Sequence, residues 1–227
     1  SITGTNVIVW EKNDTTIVSY NIYKESTMAG VYYLIDNVPF AFPDSSFYND
    51  TVSNPKTRAW RYKISVIDSC GNESDFSEVH KTMHLTINLS ITPNEYNLIW
   101  DHYEGIVVPT YVIERYHPST DWDSLDAVPS NLTSYIDDAS SLPDQNNIYY
   151  RIRVSNPSGC YPSKTKNYNS SKSNTSAISL GAILSATASS TDATQGNCDG
   201  TATVSASGGS APYTYRSEEH TSELQSR

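Results

Sequence analysis

The feature that most constrains this 227-residue sequence is an internal repeat with an offset near ninety positions. NVIVWEK ends its apolar stretch on Trp10, and YNLIWDH ends on Trp100. SYNIYKE carries Tyr20, Ile22 and Lys24, and TYVIERY carries Tyr111, Ile113 and Arg115. SFYNDTV places Asp50 against Asp137 of TSYIDDA, and RYKISV places Tyr62 against Tyr150 of YRIRV. Cys70 and Cys160 follow. Landmarks in one order at nearly constant offset mean two copies of one supersecondary unit.

Each copy alternates with period two, the mark of a half-buried strand. Trp60, Tyr62, Ile64 and Val66 share one face, and Arg61, Lys63 and Ser65 the other. Ile148, Tyr150, Ile152 and Val154 repeat the inward set, with Arg151 and Arg153 outward. Turn signals at Asn13-Asp14, Asn54-Pro55, Cys70-Gly71-Asn72, Pro143-Asp144 and Asn156-Pro157-Ser158-Gly159 separate the strands. Helical periodicity is absent at useful length. Short strands repeating over about ninety residues predict an all-β chain of sandwiches.

The Trp that closes the second strand, the Tyr-x-Ile-x-Val of the sixth and the Gly-Asn-x-Ser after it resemble the fibronectin type III family, over roughly residues 1–176. The resemblance implies an Ig-like β-sandwich in each copy, at 1–83 and 84–176. It makes Trp10 and Trp100 the core tryptophans. Tyr62 and Tyr150 become tyrosine-corner residues whose hydroxyls return to backbone near the preceding turn. Little chain precedes Val7, so copy one is expected to lack its first strand, to leave a sheet edge open and to be the less stable copy. His80–Met83 reads as the last strand of copy one and Leu85–Leu89 as the first of copy two, a direct handover without a Gly/Ser linker.

Beyond Ser163 the chain turns polar, then alternates Thr201, Thr203 and Ser205 with Ala202, Val204 and Ala206. CDGTATVSASGGSAPYTY resembles the SprB-type repeat of cell-surface adhesins from gliding Gram-negative bacteria, and residues 177–215 would be a partial third β-domain. That resemblance implies a secreted or cell-surface protein of the type IX route. Arg216–Arg227, RSEEHTSELQSR, resembles a translated sequencing adapter and is set aside as an assembly scar. The chain opens on Ser1 rather than Met, so the lack of a signal segment carries no information.

Composition sorts the function classes. A formal net charge of -10 opposes nucleic acid and anionic membranes, which need Lys/Arg surfaces. No apolar run reaches the ~18–20 residues that span a bilayer. The sequence contains no P-loop, HExxH, GxGxxG or nucleophile elbow, so catalytic, cofactor and metal sites are all read as none. His80 and His84 on one strand stand ~13 Å apart, too far to share one ion. Adjacent Asp137 and Asp138 point to opposite faces and read as turn or edge residues. Cys70 and Cys160 occupy equivalent loops of successive domains, too far apart to pair, so the thiols, Cys198 included, are expected free. Tyr32, Tyr33, Phe40, Phe42, Tyr48 and Trp122 divide between core and surface, and surface members have faces suited to sugars.

The sequence therefore predicts a non-catalytic spacer or presenting segment of an adhesin-like protein. Its partners would be other domains of the same chain, with glycans or surface proteins as further candidates. The alternative is a carbohydrate-binding accessory region of a secreted hydrolase.

Overall fold

A computed structural model describes residues 4–11, 16–40, 46–145, 147–156, 158–160, 168–177, 185–197 and 199–207. The expectations for Asn13-Asp14, Phe42, Pro157, Cys198, Gly208–Tyr213 and residues 216–227 fall outside these. The chain divides into two compact units, Ser1–Ile178 and Ser179–Arg227. The described residues contain strands and no helix.

The first unit holds two sandwiches in succession. In the first, β1 (Asn6–Val9) pairs with β4 (Phe47–Asp50). The facing sheet runs β3 (Tyr32–Pro39), β2 (Ile17–Glu25), β5 (Arg61–Asp68), β6 (His80–Lys81). In the second, β11 (Ser134–Asp138), β8 (Glu95–Trp100) and β7 (Leu85–Leu89) form one sheet. Opposite them lie β10 (Asp121–Pro129), β9 (Thr110–His117) and β12 (Tyr149–Ser155), and β12 also pairs with β13 (Ser170–Lys172) and β14 (Ser176–Ala177). Three strands facing β10, β9, β12 and an interrupted last strand made of β13 and β14, all antiparallel, is the fibronectin type III arrangement, and the first sandwich repeats it without a counterpart of β7 among the described residues. The second unit contains the hairpin of β15 (Ser185–Thr191) and β16 (Thr201–Ser207). The fold is thus all-β, with two tandem fibronectin type III-like sandwiches and a further β-hairpin.

The repeat extends to an irregularity that period two conceals. β3 shifts register opposite Ile22 and Tyr23, and β10 shifts between Ser124 and Asp126 opposite Glu114 and Ile113. The extra residues, Ile35 and Leu125, pack against the two cores. A bulge places one additional side chain without moving the flanking ladder.

The cores differ in coverage. In the second sandwich Leu98, Tyr111, Ile113 and Ile152 are 0% exposed, and the cluster takes in Met83 and Val154. In the first, Trp10, Tyr20 and Ile22 are buried, while Ile8, Ile64, Val66 and Tyr48 are only partly covered. The last strand of the first sandwich is also shorter than its sequence suggests. It is confined to His80–Lys81, and Met83 turns away to fill the second core. An apolar side chain one residue from β7 gains more contact there than at the rim of the thinner first core.

Candidate functional site

Each sandwich is built around a tryptophan, a tyrosine and a buried ion pair. Trp10 lies 5.2 Å from Tyr20, and Trp100 lies 5.6 Å from Tyr111, ring centre to ring centre. Both indole N–H groups are buried without an acceptor among the described residues. Trp10, Tyr62, Trp100 and Tyr150 are all buried. The tyrosine hydroxyls, however, do not reach backbone. Tyr62 donates to Asp50 Oδ2 at 2.8 Å and Tyr150 donates to Asp137 Oδ2 at 2.6 Å. A carboxylate is the stronger acceptor, and it sits within reach because Asp50, which ends β4, and Asp137, one residue before the end of β11, both turn inward. Burial, with the neighbouring carboxylate, raises the pKa of both phenols.

The same carboxylates hold the cations. Lys24 Nζ lies 2.8 Å from Asp50, with side chains 3% and 2% exposed. Arg115 Nη1 lies 2.7 Å from Asp137. Asn6 Nδ2 donates to the Tyr62 hydroxyl, closing the first network. Asp137 is therefore an interior anchor rather than a turn residue, while Asp138 is exposed on the opposite face. The sequence signal was present in the repeat itself, which aligns Lys24 with Arg115 and Asp50 with Asp137. Alternation alone assigns cations to the surface and misses it.

Where the two sandwiches meet, the chain is tied on several levels. The Lys81 amide donates to the Glu104 carbonyl, and the Asp101 amide donates to the His84 carbonyl, both at 3.0 Å. Lys81 Nζ lies 3.1 Å from Asp101, and Arg61 holds Glu104 through Nε and Nη2 at 2.8 and 2.7 Å while its Nη1 reaches Glu25. The Arg61 hydrogen bonds outweigh burial and keep the Glu104 carboxyl below the ordinary range. Gly105 has φ +123, and a Cβ there would lie 2.5–2.8 Å from the His80 ring. His80 Nδ1 meets Tyr103 Oη at 3.3 Å. Burial lowers the His80 pKa and pushes the Tyr103 phenol up to about 12. His84 turns elsewhere, to the Lys56 carbonyl at 3.0 Å. A shallow cleft of about 300 Å³ nearby is lined by loop residues including His102, Val107 and Ser130, and no carboxylate or cysteine lines it.

Several half-buried aromatic rings are already covered by cations, among them Trp60, which the alternation placed in the core and which instead packs beside Lys24 and Arg58. Arg151 stacks 3.7 Å from the Trp122 ring, Arg58 lies 3.9 Å from Trp60, and Lys63 lies 4.5 Å from Tyr32. Glu114 accepts from Arg151 and from Arg153 Nε. Burial alone would raise the Glu114 pKa, and the two guanidinium bonds reverse that and lower it. Of the aromatics named from sequence, Phe40 and Tyr48 pack against the core and Tyr33 is exposed.

The described residues contain no cluster of three or more His, Cys, Asp or Glu side chains able to hold a metal ion. They contain no helix long and apolar enough to cross a membrane. Cys70 is exposed and Cys160 half-buried, both as free thiols. Burial and the Glu11 carboxylate raise the Cys160 pKa.

No family model matches the chain, and no curated protein matches it. Among solved structures it is similar to the chicken interferon gamma receptor alpha chain, at 11% identity and a TM-score of 0.29, covering 78% of this chain and 92% of that one. That likeness carries no statement about ligand or partner. The class assignment stands on the strand order.

Proposed function

We propose that the chain is a non-catalytic structural and interaction segment of an extracellular or cell-surface protein, holding other domains at a set spacing. The supporting observation is the junction. A strand-to-strand handover, the cross-junction backbone bond from Lys81 to Glu104 and the Arg61–Glu104–Lys81 cluster restrict bending in a way a Gly/Ser linker does not. The functional divisions are 1–83, 84–176 and 177–215. The finer reading is an adhesin-like protein of the type IX route. It rests on the resemblance of the Cys198–Tyr215 run, and further repeats together with a C-terminal sorting domain in the full-length gene would support it.

The carbohydrate-binding alternative needs open aromatic faces. Trp122, Trp60 and Tyr32 each have a cation over the ring, which disfavours it. Spin labels at Met28 and Ile136, both exposed, test the spacer reading. One narrow distance distribution supports it, and a broad one overturns it. Saturable glycan binding abolished by Tyr33→Ala would favour the alternative.

A further inference from the structure

The two sandwiches build the same buried anchor around different cations. In the second, Arg115 Nη1 and the Tyr150 hydroxyl meet Asp137 Oδ2 at 2.7 and 2.6 Å. In the first, Lys24 Nζ and the Tyr62 hydroxyl meet Asp50 Oδ2, both at 2.8 Å. An amine becomes a nucleophile once it gives up a proton, whereas a guanidinium keeps its charge and does not. The first anchor therefore holds a potential nucleophile against a carboxyl group, and the second does not.

The surroundings of the first pair suit acyl transfer. The Lys24 and Asp50 side chains are 3% and 2% exposed, which keeps bulk water out. The Trp60 ring, 4.9 Å from Nζ, walls in the amine. The Val52 amide donates to Asp50 Oδ1 at 3.2 Å, where negative charge gathers when the carboxyl carbon is attacked. Asn6 Nδ2 donates to the Tyr62 hydroxyl oxygen at 3.0 Å, and the phenol proton is directed at Asp50 Oδ2. Asp50 is itself fixed, because its carbonyl accepts from the Ser53 amide and hydroxyl at 3.1 and 2.7 Å. Holding two reacting groups at contact in one geometry removes much of the barrier to their reaction.

We infer that Lys24 and Asp50 condense to a side-chain amide that joins β2 covalently to β4, and with them the two sheets of the first sandwich. Within the ion pair one proton passes from Nζ to Oδ2, leaving a neutral amine beside a carboxylic acid. The Nζ lone pair bonds to Asp50 Cγ, and charge gathers on Oδ1 under the Val52 amide. A second Nζ proton reaches Oδ2 by way of the Tyr62 hydroxyl, the Cγ–Oδ2 bond breaks and Oδ2 leaves as water. One ammonium and one carboxylate give one amide and one water, with no change of oxidation state. Burial favours the product, because a neutral group replaces two desolvated charges. This stands on the geometry of the anchor and is independent of the spacer reading.

The intact mass of the folded full chain tests it. The expected mass lies one water below that of the sequence. Trypsin should then fail to cut after Lys24, and a further cut after Glu25 should leave the fragments that carry Lys24 and Asp50 joined. Lys24→Arg installs the cation of the second sandwich and should restore the full sequence mass. Three results overturn the inference. One is a full sequence mass for the unsubstituted chain, which decides the matter whether or not the variant folds. Another is a water loss that maps elsewhere, such as a cyclic imide at Asp199-Gly200. The third is a water loss that persists in Lys24→Arg.

Discussion

The first sandwich is the second one with less cover. Both bury a tryptophan beside a tyrosine, both place a bulge opposite the same β-strand position, and both fasten a tyrosine hydroxyl and a cation to one buried aspartate. The difference lies around that frame. β7 closes one side of the second core, and Met83 from the junction adds to it. The counterpart residues of the first core remain half-exposed. At roughly 25 cal/mol per Å² of apolar surface, incomplete cover of several large side chains is expected to separate two otherwise similar domains by some kcal/mol. Topology and polar anchors are thus the same in both sandwiches, and what differs is the cover over the core.

The sharpest way to break the comparison is at the shared anchor. Asp137→Ala leaves the Arg115 cation and the Tyr150 hydroxyl without their acceptor, and should cost about 3–5 kcal/mol in denaturant unfolding. Asp50→Ala strands Lys24, which is less exposed than Arg115, and should unfold the first sandwich outright at room temperature. Survival of the first sandwich with a loss under about 1 kcal/mol would show that the ion pair is not its anchor.

Matched core truncations sharpen the comparison next. Ile152→Ala removes a fully buried side chain and should cost about 2–5 kcal/mol. Ile64→Ala, at the facing position of the first core, should cost roughly half as much, because water already reaches that residue. Equal losses would mean the two cores are equally covered.

At the junction, Gly105→Ala forces a Cβ against the His80 ring at a φ that side chains avoid, and about 1–3 kcal/mol is expected. A broader distance distribution between labels at Met28 and Ile136 should accompany the loss. Acid should act in the same direction. The lowered pKa of Glu104 makes its contribution complete above the ordinary carboxylate range and lost as pH falls through its folded value. The His80 pKa is lowered by partial burial of its ring against Tyr103, so any contribution it makes is present above its ordinary value near 6.5 and fades as pH drops below it. The distance distribution should broaden on acidification and not on raising the pH to 9. Glu104→Gln is the mildest change, at about 0–1 kcal/mol, since its partners are partly solvated.

Much of this architecture was legible in the sequence. Leu85–Leu89 reads as a strand and is one, and the inward set of Tyr150, Ile152 and Val154 is buried throughout. Alternation is a strong signal when each face meets one environment. It fails where a side chain and its strand have different neighbours. Asp137 sits on an edge strand yet turns inward to Arg115, and Met83 leaves the strand before it for the next core. The tyrosine hydroxyls reach carboxylates because the aspartate arrives from the opposite sheet, a partner that local pattern does not supply. The bulges at Ile35 and Leu125 break the period where the core needs one more side chain.

Native-state hydrogen exchange of the whole chain in rising denaturant tests unequal cover most directly. The paired amides of β2 and β5 should open at clearly lower denaturant than those of β9 and β12. A single opening isotherm shared by both sets would contradict the account, because the two sandwiches would then be equally stable.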